Sequence, residues 1–463
     1  MELAVFLALL AYLATCIWFG RGDRSPRDEC DFFLAGRGLG TWRAGGSLAA
    51  TVLSGSTFLA GTTFSYQIGL AGAWYNLAGG LCLILLGLTI AGRVRAAGCY
   101  TLPELAGLAY GPAVRWTASC VVVAAEIAWM ALLVRAQTAV LEPFTTLPAL
   151  PLTLAITAVL VAYTVSGGQR GVVASDLFQL ALVLAGTAAL LLASWDEALA
   201  ALRSAPPRLR AAPQAAGFGP LQMISIFALI GLPHWVGSDV YSRLLSARDG
   251  ATARRAALLA GGLKCLMAIA IAAFGLGAAQ LFPQLDNPDH ALPLLVRQVL
   301  PGYATVLLLL ALLAALMSTA STVLLTGSTV LARDLLGSLG PRGAVRRARL
   351  AMVALAAAAC AIALHFGQIL PIVFVGYTVF ASGLTLPILA SFLPPGWRPS
   401  PRAAGAAIAA GAGAALVLLS SRGPNDDNVL WGLSCSAAAL LVFTLPGWRR
   451  AQLGARRAAA AVE

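Results

Sequence analysis

Long apolar runs alternate with short polar connections along the whole chain. A hydrocarbon core of about 30 Å requires roughly 20 helical residues, and most of these runs meet that length. Because a bilayer offers no water to the backbone, such runs predict helices. We expect an all-α polytopic membrane protein with about 13 transmembrane helices, numbered 1 to 13 along the chain. They lie near residues 3–19, 44–66, 72–92, 116–141, 148–165, 172–194, 218–240, 256–281, 299–332, 350–366, 369–393, 403–420 and 428–446.

Two of these runs are interrupted in the middle by small or helix-breaking residues. Helix 2 is interrupted around Ser54 and Gly55, and helix 7 around Pro233 and Gly237. Each begins a set of five, helices 2 to 6 and 7 to 11, and an odd number per set gives the sets opposite orientations. Interrupted helices in corresponding positions of two halves indicate a transporter site at mid-membrane. The alternative is that Gly and Pro are simply common in membrane helices.

The whole chain, residues 1–463, is expected to form one membrane domain. Its parts are a first helix and inner loop at 1–40, a first repeat at 41–195, a second repeat at 218–393, and two C-terminal helices with a basic tail at 399–463. The outer segment 195–220 contains RSAPPRLRAAPQ and is predicted to be a flexible loop. The first run lacks the basic start and cleavage pattern of a secretory signal, which favours a retained helix.

Composition and charge agree with a membrane protein. The chain is 59% hydrophobic and 11% charged, with a mean hydropathy of +0.83, which excludes an ordinary soluble globule. With the N terminus outside, 24 of the 31 Lys and Arg residues fall on inner connections and the C-terminal tail, and five on outer connections. This split follows the positive-inside rule. It predicts a cytoplasmic C terminus in a bacterial inner membrane, with the bilayer as partner and no nucleic acid despite the net charge of +12.

Enzyme chemistry is not indicated. The eight cysteines form no CxxC pair, the three histidines are far apart, and no hydrolase or kinase motif occurs. A disulfide framework or a metal cluster of His and Cys is therefore not expected.

Four hydroxyls stand together in the otherwise apolar helix 9: Ser318, Thr319, Ser321 and Thr322. Residues three and four apart share one helix face, so Ala315, Ser318 and Thr319 point together. Neutral oxygens on one face suit a hard cation. The alternative is that each hydroxyl bonds back to its own helix carbonyls.

Five segments resemble the sodium:solute symporter family. They are FFLAGRGLGTW, SLAATVLSGSTFLAG, YTVSGGQRGVVASDLFQ, RLLSARDGATARRA and AALMSTASTVLLTGSTVLARDL. The resemblance implies a LeuT-like five-plus-five inverted repeat. It also implies a sodium-coupled secondary active symporter that imports a small polar organic solute by alternating access, without an evident obligate protein partner. Two alternatives stay open: a proton-coupled carrier on the same fold, and a sensor that keeps the fold without transport.

The resemblance also implies sodium ligands. A first Na⁺ would lie between the break of helix 2 and helix 9, held by the carbonyls of Ala50, Leu53 and Ala315 and the hydroxyls of Ser318 and Thr319. Some family members hold a second Na⁺, and the matching residues are Asp176, Ser318, Ser321 and Thr322. The alternative for Asp176 is that it pairs with Arg170 or takes protons. We expect one Na⁺, with a second possible.

Solute contacts are suggested on several helices. By position in the family, Ser54, Thr57 and Asn76 match places that contact solute. His234, Trp235, Asp239 and Tyr377 are further cavity candidates. The alternative is that His234 is a satisfied core residue, as such a histidine more often is, and that Trp235 is ordinary packing. The segment GSDVYSR departs from better-known members, which leaves the solute open rather than the transport class.

Arg135 is an unusual residue for its place inside helix 4. An arginine so far inside a membrane helix usually faces a cavity or a partner. Its planar fork is suited to a substrate carboxylate. The competing interpretation is a salt bridge with Asp239 or Glu142.

Overall fold

The computed structural model describes residues 2–21, 28–142, 148–204, 217–337, 341–365, 369–425 and 427–460. Within these ranges nearly all residues are helical, and the only β-type pairing is an isolated parallel bridge between Leu39 and Ala247. The all-α prediction is confirmed.

The long helices are labelled α1–α13 after the predicted spans that they contain. They are α1 Glu2–Arg21, α2a Thr41–Val52, α2b Gly55–Ile68, α3 Trp74–Thr89, α4 Pro112–Leu141, α5 149–167, α6 169–193, α7a 220–236, α7b Ser238–Ser246, α8 Gly250–Leu281, α9 Gly302–Val330, α10 Pro341–His365, α11 Ile369–Ser391, α12 Pro401–Arg422 and α13 Asn428–Ala460. Shorter helices lie at Glu29–Leu34, Ala91–Ala96, Leu102–Tyr110, Trp195–Ser204 and Ala291–Val299.

Eight of the described helical segments are long and apolar enough to cross a membrane, and three shorter apolar helices accompany them. Two of the eight contain more than one predicted helix: Gly55–Thr89 joins α2b to α3, and Ala149–Ala193 joins α5 to α6. The chain is an integral membrane protein. The count of thirteen spans and the inverted repeat stay predictions.

The predicted flexible loop at 195–220 is wrong in its first part. Residues Trp195–Ser204 form a helix with Asp196 and Glu197 in its first turn and Arg203 in its last. These charges complement the helix dipole, and the helix packs against α8. Residues 205–216 lie outside the described part of the chain.

The break in α2 falls where the sequence predicts it. Helix α2a ends at Val52, Ser54 is extended with φ −69° and ψ 161°, and the Ser54 hydroxyl accepts a hydrogen bond from the Ser56 N–H at 3.1 Å, which caps α2b. Gly55 faces the side chain of Leu316 on α9, where a Cβ would clash. The missing side chain lets the break lie against α9.

The break in α7 is at one of the two predicted residues. Gly237 is extended, with φ −61° and ψ 138°, and separates α7a from α7b. Pro233 instead lies in the first turn of the piece Leu232–Val236, after a π-helical turn at Phe227–Gly231. Proline is tolerated there because its missing N–H belongs to a region of altered helical bonding.

Helices α5 and α6 join in a bend at the predicted SGGQRG motif. Gly168 has φ +54° and ψ −149°, which side chains rarely permit, and a Cβ there would lie 2.6 Å from the Phe32 carbonyl oxygen. Phe32 belongs to the short helix Glu29–Leu34, which packs into the bend.

Helix α9 lies at the centre of the bundle and is the most buried of the eight candidate spans. It packs against α4, against α5 and α6, and against both pieces of α2. Helix α8 packs against α2 and α3, while α12 and α13 pack on each other and on α11. The broken α2 is therefore held between two continuous helices, α8 and α9.

We expect Gly168→Ala to destabilise the protein by about 1–3 kcal/mol, because it adds a side chain at a positive φ and against the Phe32 backbone. The measurement is the apparent melting temperature of the purified protein in detergent. Gly262→Ala on α8 is the matched control, since a Cβ there meets no atom within 4 Å. Equal melting temperatures for the two variants would contradict this account of the bend.

Candidate functional site

The α2–α9 junction brings buried oxygen atoms from both helices together. The Ser318 hydroxyl lies 2.9 Å from the Ala50 carbonyl oxygen and 3.1 Å from that of Ala315. The Thr319 hydroxyl lies 2.8 Å from the Thr51 carbonyl oxygen and 3.1 Å from that of Ala315. The carbonyls of α2a belong to its last turn, which leaves such groups without helical donors.

The predicted ligands of the first sodium ion are placed close together. Ala50, Ala315, Ser318 and Thr319 meet as described, and the carbonyl of Thr51 joins them although the sequence did not suggest it. Leu53 also lies at the break, buried, with φ −93° and ψ 54°. The hydroxyls bond to carbonyls of their own helix as well as to α2a, so the back-bonding alternative applies alongside the junction. All these oxygens are uncharged, a set suited to a monovalent cation that must be released.

The carbonyl of Val52 is bonded by a residue that the sequence analysis did not select. The ammonium of Lys264 on α8 lies 2.6 Å from the Val52 oxygen and 3.5 Å from the Thr57 hydroxyl. Lys264 is 1% exposed, and no ion pair to it is found in the described residues. Its signal in the sequence was the same as that of Arg135, a lone cation in an apolar run.

Asp176 lies in a separate buried cluster with an arginine. One carboxylate oxygen is 2.9 Å from Arg243 Nη2 and also accepts a hydrogen bond from the Ser47 hydroxyl. Arg243, on α7b, further donates to Ser47 at 2.7 Å, to Gln169 at 3.2 Å and to Thr322. Both members of the ion pair are fully buried. The counter-charge of Asp176 is therefore Arg243.

Arg170, the partner considered from the sequence, bonds elsewhere. Its Nε lies 2.5 Å from Asp31 Oδ1. The hydroxyls of Ser321 and Thr322 each lie 3.0 Å from the Ser318 carbonyl oxygen. Thr322 thus joins the Asp176 cluster through Arg243, whereas Ser321 bonds within its own helix.

A cavity lies between the two breaks. Six of the eight predicted solute contacts line it: Ser54, Thr57, Asn76, His234, Asp239 and Tyr377. Thr319 also lines it, so the cavity adjoins the α2–α9 junction. The His234 ring nitrogen is 2.7 Å from the Ile230 carbonyl oxygen of its own helix.

Two residues that line this cavity have a polar atom without a protein partner. The Nδ2 of Asn76 lies 3.2 Å from the Thr57 carbonyl oxygen, while its Oδ1 has no partner. The indole nitrogen of Trp129 is likewise buried and unpartnered. Trp129 and Lys264 both line the cavity. The residues that line the cavity therefore include an amide, an indole, a carboxylate and an ammonium: Asn76, Trp129, Asp239 and Lys264.

Two predicted contacts lie away from the cavity lining. Arg135 Nη1 is 3.1 Å from Glu142 Oε1, with side chains 24% and 37% exposed, so the structure shows the ion pair with Glu142. Trp235 is partly buried against the main hydrophobic core.

Known proteins are similar to this chain over most of its length. The family model described as the sodium:solute symporter family matches residues 32–394. The sodium/pantothenate symporter of Escherichia coli (strain K12) is 29% identical over 372 residues, 74% of each chain. The sodium/glucose cotransporter of Vibrio parahaemolyticus is 25% identical over 378 residues, 72% of this chain and 68% of the relative.

Solved structures share the fold. A Na⁺-coupled sialic acid symporter in a substrate-bound outward-open state superposes with a TM-score of 0.79 at 18% identity, over 95% of this chain and 97% of the other. A nucleobase-cation-symport-1 family transporter in a closed conformation gives 0.59 at 15% identity, over 92% and 95%. The family match extends over most of the chain and supports sodium-coupled symport, and the named relatives are transporters. The chain therefore belongs to the sodium:solute symporter family.

Proposed function

We propose that this protein is a secondary active symporter that imports a small polar organic solute with Na⁺ by alternating access. Its core is the inverted repeat of α2–α6 and α7–α11, in a bacterial inner membrane with the N terminus outside. The observation that carries the proposal is the meeting of Ala50, Thr51 and Ala315 carbonyls with the Ser318 and Thr319 hydroxyls beside a polar cavity.

Sodium at this junction would replace the hydrogen bonds between α9 and α2a. The hydroxyl oxygens of Ser318 and Thr319 would turn their lone pairs to the ion, and the freed carbonyls would coordinate it too. The ion then ties α2a to α9 more strongly than two hydrogen bonds between neutral groups do. Because Thr319 lines both the junction and the cavity, the ion and the solute share a wall, and each raises the affinity of the other.

The membrane potential supplies the drive. One positive charge moving inward gains about 2.3 kcal/mol per 100 mV, before any sodium gradient is added.

We infer a single sodium ion per cycle. The possible second site consists of Asp176, Ser318, Ser321 and Thr322, and the guanidinium of Arg243 already bonds to Asp176 and Thr322. A fixed cation beside these ligands repels an added one, and it compensates the carboxylate that would have attracted the ion. The second site is the alternative, and Ser321 is the residue that tests it.

The cavity lined by Ser54, Thr57, Asn76, His234, Asp239 and Tyr377 is the proposed solute site, with Lys264 added to it. An ammonium has three donors; two are directed to Val52 and Thr57, which leaves one for a solute oxygen. The relatives named for pantothenate and for glucose differ in solute, so the exact solute stays open.

We expect Ser318→Ala and Thr319→Ala each to raise the sodium concentration for half-maximal stabilisation by about tenfold or more. The reason is the loss of one ligand to a charged group, roughly 1.5–3 kcal/mol. The measurement is the melting temperature of the purified protein as NaCl replaces choline chloride at constant ionic strength. Ser321→Ala on the same helix is the matched control and should leave the sodium dependence unchanged. An equal loss in Ser321→Ala would support the second site, and a wild-type protein that ignores sodium would favour the proton-coupled or sensor alternatives.

We expect Lys264→Met to abolish the stabilisation by solute, because it removes the cavity ammonium while keeping a side chain of similar length. A solute is first found by screening acids, amino acids, sugars and vitamins for melting-temperature shifts in sodium buffer. Arg135→Met is the control, since Arg135 pairs with Glu142 outside the cavity lining. If solute binding is instead lost in Arg135→Met and kept in Lys264→Met, the residue that binds the solute is Arg135 and not Lys264.

A further inference from the structure

A buried acid on a neighbouring helix contacts the break in α7. Glu126, on α4, accepts a hydrogen bond through Oε1 from the hydroxyl of Ser238, the first residue of α7b. Glu126 is 2% exposed, and its second oxygen, Oε2, is buried without a partner. In the part of the chain that the structure describes, no Lys, Arg or His forms an ion pair with Glu126.

The surroundings of Glu126 add negative rather than positive charge. The next residue after Ser238 is Asp239, which lines the cavity. Tyr377 on α11 approaches both acids, and α9 packs on the Glu126 stem at Gly327.

The nearest cationic side chains form their hydrogen bonds with groups other than Glu126. Lys264 and Arg243 approach Asp239 rather than Glu126, and they bond to the Val52 carbonyl and to Asp176.

An ionised carboxylate in this position is costly, since it has one hydrogen-bond donor, a second acid nearby and no water-like surroundings. A proton or a metal cation would remove the cost. A hard cation such as Na⁺ requires several oxygen ligands, and in the described residues the Glu126 carboxyl has one side-chain partner, the Ser238 hydroxyl, while Oε2 has none. A proton requires only the free Oε2. The geometry favours the proton.

The position of the acid also matches the proposed repeat. Helix α7 corresponds to α2, and α4 corresponds to α9, when helices 7–11 are laid on helices 2–6. The Glu126–Ser238 contact therefore corresponds to the α2–α9 junction, where hydroxyls meet the other break. One junction presents neutral oxygens, and its counterpart presents a carboxyl group.

We propose that Glu126 is a proton-binding site at the α4–α7 junction, and that it releases its proton when α7b moves away from α4 during transport. The O–H bond at Oε2 breaks, the proton passes to water in the cavity beside Asp239, and the carboxylate keeps the hydrogen bond from Ser238. The reverse step restores the acid. The inference rests on the proposed alternating-access function for the motion, while the protonation of Glu126 does not.

Infrared difference spectra of the purified full chain at neutral pH test the protonation. The wild-type spectrum minus that of Glu126→Gln should show the carbonyl stretch of a carboxylic acid. Glu142, directly after the last residue of α4, pairs with Arg135. Glu142→Gln is the control and should leave that band in place. If the difference spectrum instead shows the stretches of an ionised carboxylate, the proposal is overturned.

One further variant guards against misfolding. Glu126→Gln keeps an oxygen for Ser238, and its fold is checked by its elution profile and melting temperature. Should it fail to fold, Ser238→Ala tests the same group, because loss of the hydroxyl should shift the acid band without removing it. An unshifted band in Ser238→Ala would mean that the acid lies elsewhere.

The coupling between sodium binding and the protonation of Glu126 is tested with sodium alone, without a solute. Addition of NaCl to weakly buffered wild type should change the proton concentration, and Glu126→Gln should lose that change while Glu142→Gln keeps it. A change that persists in Glu126→Gln contradicts the coupling. Equilibrium binding of radioactive sodium tests whether the Glu126 site holds a proton or a sodium ion. If Glu126→Gln loses one bound sodium ion and keeps the sodium ion at Ser318, the occupant of the Glu126 site is a cation and not a proton. A wild type with the acid band but without sodium binding would overturn the proposed function and leave the protonation of Glu126 intact.

Discussion

Every backbone polar group inside a bilayer must find a partner, and the break of α2 is arranged around this constraint. Three consecutive carbonyls at the end of α2a point beyond the helix, and each is bonded by a side chain of another helix: Ala50 by Ser318, Thr51 by Thr319, and Val52 by Lys264. Gly55 allows this close approach, because a Cβ would meet Leu316. Donors from α8 and α9 therefore help to hold the break, and the Thr57 hydroxyl of α2b adds a further donor to Val52. A cation that takes over some of these carbonyls acts on the element that holds α2 in place.

The helices were predictable because a segment that crosses the lipid bilayer must be long and apolar, and such segments are recognisable in the sequence. Apolar runs mark the helices, and Ser54, Gly55 and Gly237 mark the breaks, since small residues are the ones that tolerate a lost helical turn. Gly168 is the same kind of signal, because its positive φ and the nearby Phe32 carbonyl exclude a side chain. These features are local, so one stretch of sequence contains the information.

Partners of buried charges were not predictable in the same way. Arg135 and Lys264 look alike in the sequence, yet one pairs with Glu142 seven residues later and the other reaches a carbonyl on α2. Asp176 pairs with Arg243, 67 residues away in the chain, rather than with the nearby Arg170. The proposed sodium ligands came from the family resemblance, which suggested a long-range pairing that spacing alone could not. Glu126 was not among the residues predicted from the sequence, because nothing local indicates its contact with Ser238.

The buried charges of this bundle are stabilised in different ways. The difference separates groups whose charge is fixed from groups whose charge or partners change during transport. Asp176 and Arg243 compensate each other inside a network of hydroxyls and an amide, so their charges are fixed and removal of either leaves the other exposed to the full cost of burial. Lys264 is compensated by carbonyl and hydroxyl dipoles next to the cavity, which a solute can extend. Glu126 has a single neutral donor and a free oxygen, and this is the arrangement in which the charge state itself changes most readily when a helix moves.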